Sequence, residues 1–122
     1  MPKKLLRSLR TRRDFELVFK SGVRSGSKYL VMYAKPNDIL QNRLGLSVSK
    51  KIGNAVTRNR IKRLMKEAVR KILEGLPVDY DFVIVAKKAS AEAKLDDVVR
   101  GIQNFSTRLH NEKGAHSIYK TL

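Results

Sequence analysis

The sequence predicts a small two-layer α/β (α+β) sandwich, with elements in the order α-β-β-α-β-α and helices packed on a small central sheet. Three observations lead there. Two stretches alternate apolar and other residues with period two, one short run is apolar without interruption, and three segments carry apolar residues at helical spacing. Hydrophobic residues make up 42% of the 122 positions, close to the globular average, so a core can form. The length suits one domain, residues 1–122, with no room for a second module.

Residues 1–10 carry Lys3, Lys4, Arg7 and Arg10 with little apolar periodicity, and read as a flexible basic arm. Thr11, with Asp14 three residues on, is a capping-box pattern. The helix it opens, about 12–21, sets Phe15, Val18 and Phe19 along one side and stops at Gly22. Tyr29, Val31 and Tyr33 then alternate with Leu30, Met32 and Ala34, a strand ended by Pro36, Asn37 and Asp38. A second strand, about 43–49, alternates Leu44, Leu46 and Val48 against Arg43, Gly45, Ser47 and Ser49. The short connection between these two strands predicts that they pair antiparallel.

Ile52-Gly53-Asn54 breaks the second strand, and Asn54 is placed to cap the longest helix, about 55–74. Ile61, Leu64, Met65, Ala68, Val69 and Ile72 form its core stripe, while Asn59, Lys62, Arg63, Lys66 and Arg70 lie opposite. Arg58 and Arg60 fall at the two edges of the stripe, near the helix N-terminus. Gly75 and Pro77 stop the helix. The run Phe82-Val83-Ile84-Val85-Ala86 has the pattern of a central strand buried on both faces. Leu95, Val98, Val99, Ile102, Phe105 and Leu109 then mark a last helix with Asp96 and Asp97 in its first turn. Residues 113–122 are polar and read as a fraying tail.

Charge is the outlier. Lys and Arg total 27 against 11 Asp and Glu, a formal net charge of +16. Self-repulsion at that level destabilises a compact state, so the excess cations point to a polyanionic partner. Nucleic acid leads, ahead of an anionic membrane or a heparin-like polymer. The absence of cysteine excludes disulfides, thiolate catalysis and cysteine-based zinc sites, and is compatible with a reducing cytoplasm. The basic opening is not followed by the apolar core of about 7–15 residues of a secretory signal. Nor does any stretch approach the ~18 uninterrupted apolar residues of a membrane span. A cytoplasmic protein with no membrane partner is expected.

The strongest feature is the segment from Lys50 to Arg63: Lys50, Lys51, Asn54, Arg58, Asn59, Arg60, Lys62 and Arg63 gather at a strand end, a glycine turn and a helix start. Free backbone N–H groups and the positive dipole end favour phosphate there, and arginine supplies forked donors for its oxygens. From Lys50 to Lys71 only Glu67 interrupts the cations, whereas a merely solvated helix face carries ion pairs of both signs. Elsewhere, Asp79-Tyr80-Asp81 is a D-x-D that could hold Mg²⁺, but it lacks a third carboxylate and fits a turn before a strand. His110 and His116 stand isolated near the tail, and no Ser–His–Asp, P-loop or zinc spacing is present.

Arg58-Asn59-Arg60, preceded by Ser47-Val48-Ser49-Lys50-Lys51-Ile52-Gly53-Asn54-Ala55-Val56, resembles the RNR signature of the bacterial ribonuclease P protein family. The resemblance continues through Asp14-Phe15, Phe19-Lys20 and Gly22, the strand with Tyr33, and Ile84-Val85-Ala86, and covers about residues 8–110. It implies a non-catalytic subunit of an RNA enzyme that removes the 5′ leader of precursor tRNA, an endonucleolytic hydrolysis. The RNA would hold the active site and the Mg²⁺ that the holoenzyme requires, with no cofactor held by the protein alone. By the same resemblance Lys50, Lys51, Asn54, Arg58, Asn59, Arg60, Lys62, Arg63 and Lys66 would face the RNA subunit. Phe15, Phe19 and Tyr33 would hold the leader of precursor tRNA, although phenylalanines four residues apart on a helix are by themselves more often core. A left-handed crossover between the strands flanking the long helix is also implied, against the usual right-handed rule. The main rival is a ribosomal protein of similar charge and size. DNA binding ranks third and is not expected, since no helix-turn-helix pattern is present.

Overall fold

A computed structural model of the chain describes residues 6–39, 41–72, 75–76 and 79–121, with side chains through residue 111. The elements are β1 (Leu6–Ser8), α1 (Arg12–Ser21), β2 (Val23–Gly26), β3 (Leu30–Pro36), β4 (Asn42–Ser47), α2 (Ala55–Ile72), β5 (Tyr80–Ala86) and α3 (Leu95–Thr121). Short 3-10 turns at Lys50–Ile52 and Lys88–Glu92 precede α2 and α3. The predicted order α-β-β-α-β-α is present, and two short strands extend the sheet at its edges.

The strands lie in the order β1-β4-β5-β3-β2, with β5 at the centre. It runs parallel to β4 and antiparallel to β3, and packing on either side of the sheet covers the apolar run on both faces as its composition requires. One face packs Met32, Leu44, Phe82 and Ile84 against α2 and α3, through Ile61, Met65 and Val69 of the first helix and Val98, Ile102 and Phe105 of the second. The other face buries Val83 beneath Val18 of α1 and Leu9.

The antiparallel pair expected of the first two predicted strands is not formed. β3 and β4 each pair with β5, which inserts between them. The reason is burial. The Phe82–Ala86 run has no polar face to give to solvent, so it takes the one position covered on both sides.

The basic arm is likewise corrected in part. Residues 1–5 lie outside the described residues, but Leu6–Ser8 forms an edge strand parallel to β4. Leu9 is buried, and its N–H donates to the Leu44 carbonyl at 2.9 Å. Leu6 and Leu9, set among the cations, were the signal. At the other end, the backbone of α3 runs on through residues 113–121, the stretch read from sequence as a tail. That stretch contains one glycine and no proline, and an interior glycine costs only about 1 kcal/mol where proline costs about 3.

Candidate nucleic-acid interface

The basic cluster is built where β4 hands over to α2. After Ser47 the chain makes the Lys50–Ile52 turn, and Asn54 caps the helix. Its Oδ1 accepts from the Thr57 N–H at 2.9 Å, and its carbonyl accepts from the Arg58 N–H at 2.9 Å. Lys50, Lys51, Asn54, Asn59, Arg60, Arg63 and Lys66 are exposed, and Arg58 and Lys62 are half-buried. Among the described residues the ion pairs found are Arg12–Glu16, Arg43–Asp14, Arg43–Asp81 and Arg100–Asp97, none within this cluster. Most of these cations therefore face solvent, with no carboxylate paired to them among the described residues. Arg60 donates to the Ala91 carbonyl and so ties the first turns of α2 to the Lys88–Glu92 turn. Arg58 Nε is buried and meets no partner.

The aromatic residues gather on the opposite sheet face. The Phe15 and Phe19 rings are 6.3 Å apart between centroids, and Phe19 meets Tyr33 edge-on at 4.9 Å. Phe19 is 41% exposed, too open for a core role, while Phe15 and Tyr33 are half-buried against Val83. Phe15 lies over Gly45, where a Cβ would come within 2.4 Å of Phe15 Cζ. Only a glycine lets the ring sit this low on the sheet. Beyond the rings the registered row Ser47, Val85 and Val31 is half-buried, a strip of sheet that α1 leaves partly open. That strip ends at the last residue of β4, just before the Lys50–Ile52 turn. β4 thus connects the sheet beneath the rings to the basic turn that follows it.

A further group holds α1 to the sheet. Arg43 donates from Nε and Nη2 to the two Asp81 carboxylate oxygens, each at 2.7 Å, and its Nη1 lies 3.5 Å from Asp14 Oδ2. Asn37 Nδ2 donates to Asp81 Oδ1 at 2.8 Å. Thr11 caps α1 by accepting the Asp14 N–H at 3.1 Å, while the Asp14 carboxylate turns to Arg43. Burial pushes the Asp81 carboxyl up, but the Arg43 and Asn37 hydrogen bonds outweigh it and hold the group below its ordinary value. The same contact raises Arg43.

The D-x-D reading resolves into structure. Asp79 sits at φ 69°, in the left-handed region of a turn, and its carbonyl accepts from the Asn37 N–H at 2.7 Å. Asp81 is committed to Arg43, and no group of three His, Cys, Asp or Glu among the described residues is placed to hold a metal ion. His110 is not isolated: its Nε2 donates to the Gly75 carbonyl at 2.8 Å. The His116 side chain lies outside the described residues. No described helix is long and apolar enough to cross a membrane.

Sequence reasoning missed Arg43 and Arg24. Arg43 shares its strand face with Gly45 and Ser47, and that period-two signal already set it apart from the core side. Arg24, whose guanidinium lies 5.8 Å from the Tyr33 ring centre, had no comparable signal because β2 itself was not legible.

Comparison with known proteins agrees with this geometry. The family model described as Ribonuclease P matches residues 1–110. A ribonuclease P protein component of Clostridioides difficile is 44% identical over 96 residues, 78% of this chain and 84% of that protein. One from Caldanaerobacter subterraneus is 39% identical over 110 residues, 88% of this chain and 95% of its own. Among solved structures, the RNase P protein of Thermotoga maritima superposes with a TM-score of 0.75 at 32% identity, covering 83% of this chain and 96% of its own. That of Staphylococcus aureus gives 0.71 at 28% identity, covering 84% and 94%. With the match running from the β1 edge through the RNR helix and the whole of the last apolar stripe, the chain belongs to the bacterial ribonuclease P protein family.

Proposed function

We propose that this chain is the accessory protein subunit of a ribonuclease P ribonucleoprotein, binding both the catalytic RNA and the 5′ leader of precursor tRNA. The observation that carries the reading is that β4 links the two surfaces: its Gly45 lies beneath the half-open aromatic group, and the chain leaving Ser47 enters a cation cluster that has no paired carboxylate among the described residues. Folded RNA is held by its phosphates, which the α2 N-terminus with Arg58, Arg60 and Arg63 suits. Single-stranded RNA is held by base stacking beside a basic groove, which Phe15, Phe19 and Tyr33 suit. The chemistry of cleavage is assigned to the RNA and the Mg²⁺ it would hold, because the D-x-D offers no third carboxylate and Asp81 already serves Arg43.

The test is reconstitution with the RNA subunit. Affinity for precursor tRNA should rise with leader length until the aromatic surface is filled, and the protein alone should cleave nothing. A ribosomal protein has no reason to show either leader dependence or stimulation of 5′ processing. The double variant Asp79→Asn, Asp81→Asn should retain site-specific cleavage; its collapse with folding and RNA binding intact would identify a protein nuclease instead.

A further inference from the structure

Strand β2 brings to the aromatic surface a cation that belongs to neither cluster. It pairs antiparallel with β3 so that Arg24 stands directly opposite Tyr33, and directly opposed residues share a face. The Arg24 guanidinium carbon lies 5.8 Å from the Tyr33 ring centre, and Tyr33 in turn meets the exposed Phe19 ring. Arg24 is itself exposed, and among the described residues it forms no ion pair with a carboxylate. Its neighbour Ser25 faces the other way and accepts from Arg108 Nη1 at 2.6 Å. The alternation of β2 thus decides that Arg24, and not Arg108, flanks the rings.

A guanidinium laid against a ring keeps the outer edge of its planar fork free, and that fork matches two phosphate oxygens. A base stacked beside Tyr33 necessarily brings its own phosphodiester to the rim of the surface. Lys28 offers a contrast within the same molecule. Its ammonium lies 5.4 Å from the Tyr29 ring centre, but Tyr29 packs on the α2 and α3 side and joins no aromatic group among the described residues. Lys28 is a cation beside a ring, whereas Arg24 is a cation beside a stacking surface.

Building on the reading that these rings hold single-stranded RNA, we infer that Arg24 is a further leader-binding residue, gripping the phosphodiester next to the base stacked at Tyr33. It extends the leader surface onto the β2 edge of the sheet. The contact is between an arginine fork and an RNA phosphate, so it adds affinity without reading base identity.

The experiment measures binding of the reconstituted holoenzyme to precursor tRNA with a leader and to the same tRNA without one. Arg24→Ala should weaken leader-bearing substrate roughly three- to tenfold, as for one exposed charge-assisted contact, and lower the slope of log affinity against log salt by about 0.7. Arg24→Lys should keep the salt slope and recover part of the affinity, since charge remains and the fork is lost. Lys28→Ala should leave binding unchanged, and neither Arg24 variant should alter leaderless binding or the thermal midpoint. If Arg24→Ala binds like wild type while Phe19→Ala loses leader affinity, Arg24 only covers Tyr33 and the inference is overturned with the leader reading intact. If both variants bind like wild type, the leader reading fails and takes Arg24 with it. An equal loss with leaderless tRNA would move the contact off the leader and also refute the inference.

Discussion

Arg43 grips Asp81 with both sides of a fork: Nε and Nη2 each sit 2.7 Å from a different carboxylate oxygen. This two-point contact joins β4 to β5 across the sheet, and the third guanidinium nitrogen reaches Asp14 in the first turn of α1. The residue after Asp14 is Phe15, so the same arginine helps set where the aromatic surface begins.

The Arg43–Asp81 pair makes stability depend on pH in a defined direction. The folded Asp81 carboxyl titrates below its ordinary value, while in the unfolded chain it titrates near about 3.9. As pH falls the unfolded state therefore binds the proton first. The pair's contribution is complete above the unfolded value and is lost as pH drops from about 4 through the lower folded pKa. Asp81→Asn should lower stability by about 1–3 kcal/mol near neutrality, the range for hydrogen bonds to charged groups. Urea midpoints of variant and wild type should converge below about pH 4. A gap that persists undiminished in acid would mean that the loss is steric and not ionic.

Gly45→Ala should disturb the aromatic surface from below. Its Cβ would meet Phe15 Cζ at 2.4 Å, so the ring must lift or the strand must shift. Overpacking of this kind costs about 1–3 kcal/mol. The penalty should nearly vanish in a Phe15→Ala background, where the obstructing ring is gone. A double-mutant cycle on thermal stability reads this coupling directly, and additive effects would show that Phe15 does not rest on Gly45.

Arg58→Ala and Arg60→Ala should each weaken binding to the RNA subunit by about 1–3 kcal/mol. Their effects on folding should differ. Arg60 also gives up its bond to the Ala91 carbonyl, worth about 1 kcal/mol, whereas Arg58 Nε has no protein partner to lose. Filter binding across a salt series checks both, since affinity should fall log-linearly with salt and less steeply in each variant. Wild-type binding by both variants would remove the RNR helix from the interface.

Phe19 separates stacking from packing better than its neighbours. At 41% exposure its truncation leaves little cavity, so Phe19→Ala should spare the thermal midpoint. Affinity for leader-bearing precursor tRNA should nonetheless drop by about 1–3 kcal/mol, the value of one stacked base. Phe15→Ala should lose both stability and leader affinity, because that ring is half-buried over Gly45. Loss of stability alone in both variants would return the aromatics to the core.

The sequence by itself determined the helices, the central strand and the cationic helix start. The Ile61 to Ile72 stripe, the Asn54 cap and the Phe82–Ala86 run are each specified by residues close together in the chain, and local periodicity and capping act at that range. The family was legible for the same reason, since the RNR signature is one contiguous segment. Tertiary structure decided the rest. That β5 separates β3 from β4 depends on which strand gains most from burial on two faces, a comparison among segments that no single segment records. β1 and β2 are too short to show a period of their own and exist because a neighbouring strand offers unpaired backbone groups. The Arg43–Asp81–Asp14 contact and the Arg24–Tyr33 pairing follow from that strand order, because each joins residues that only the folded sheet brings within hydrogen-bonding or stacking distance.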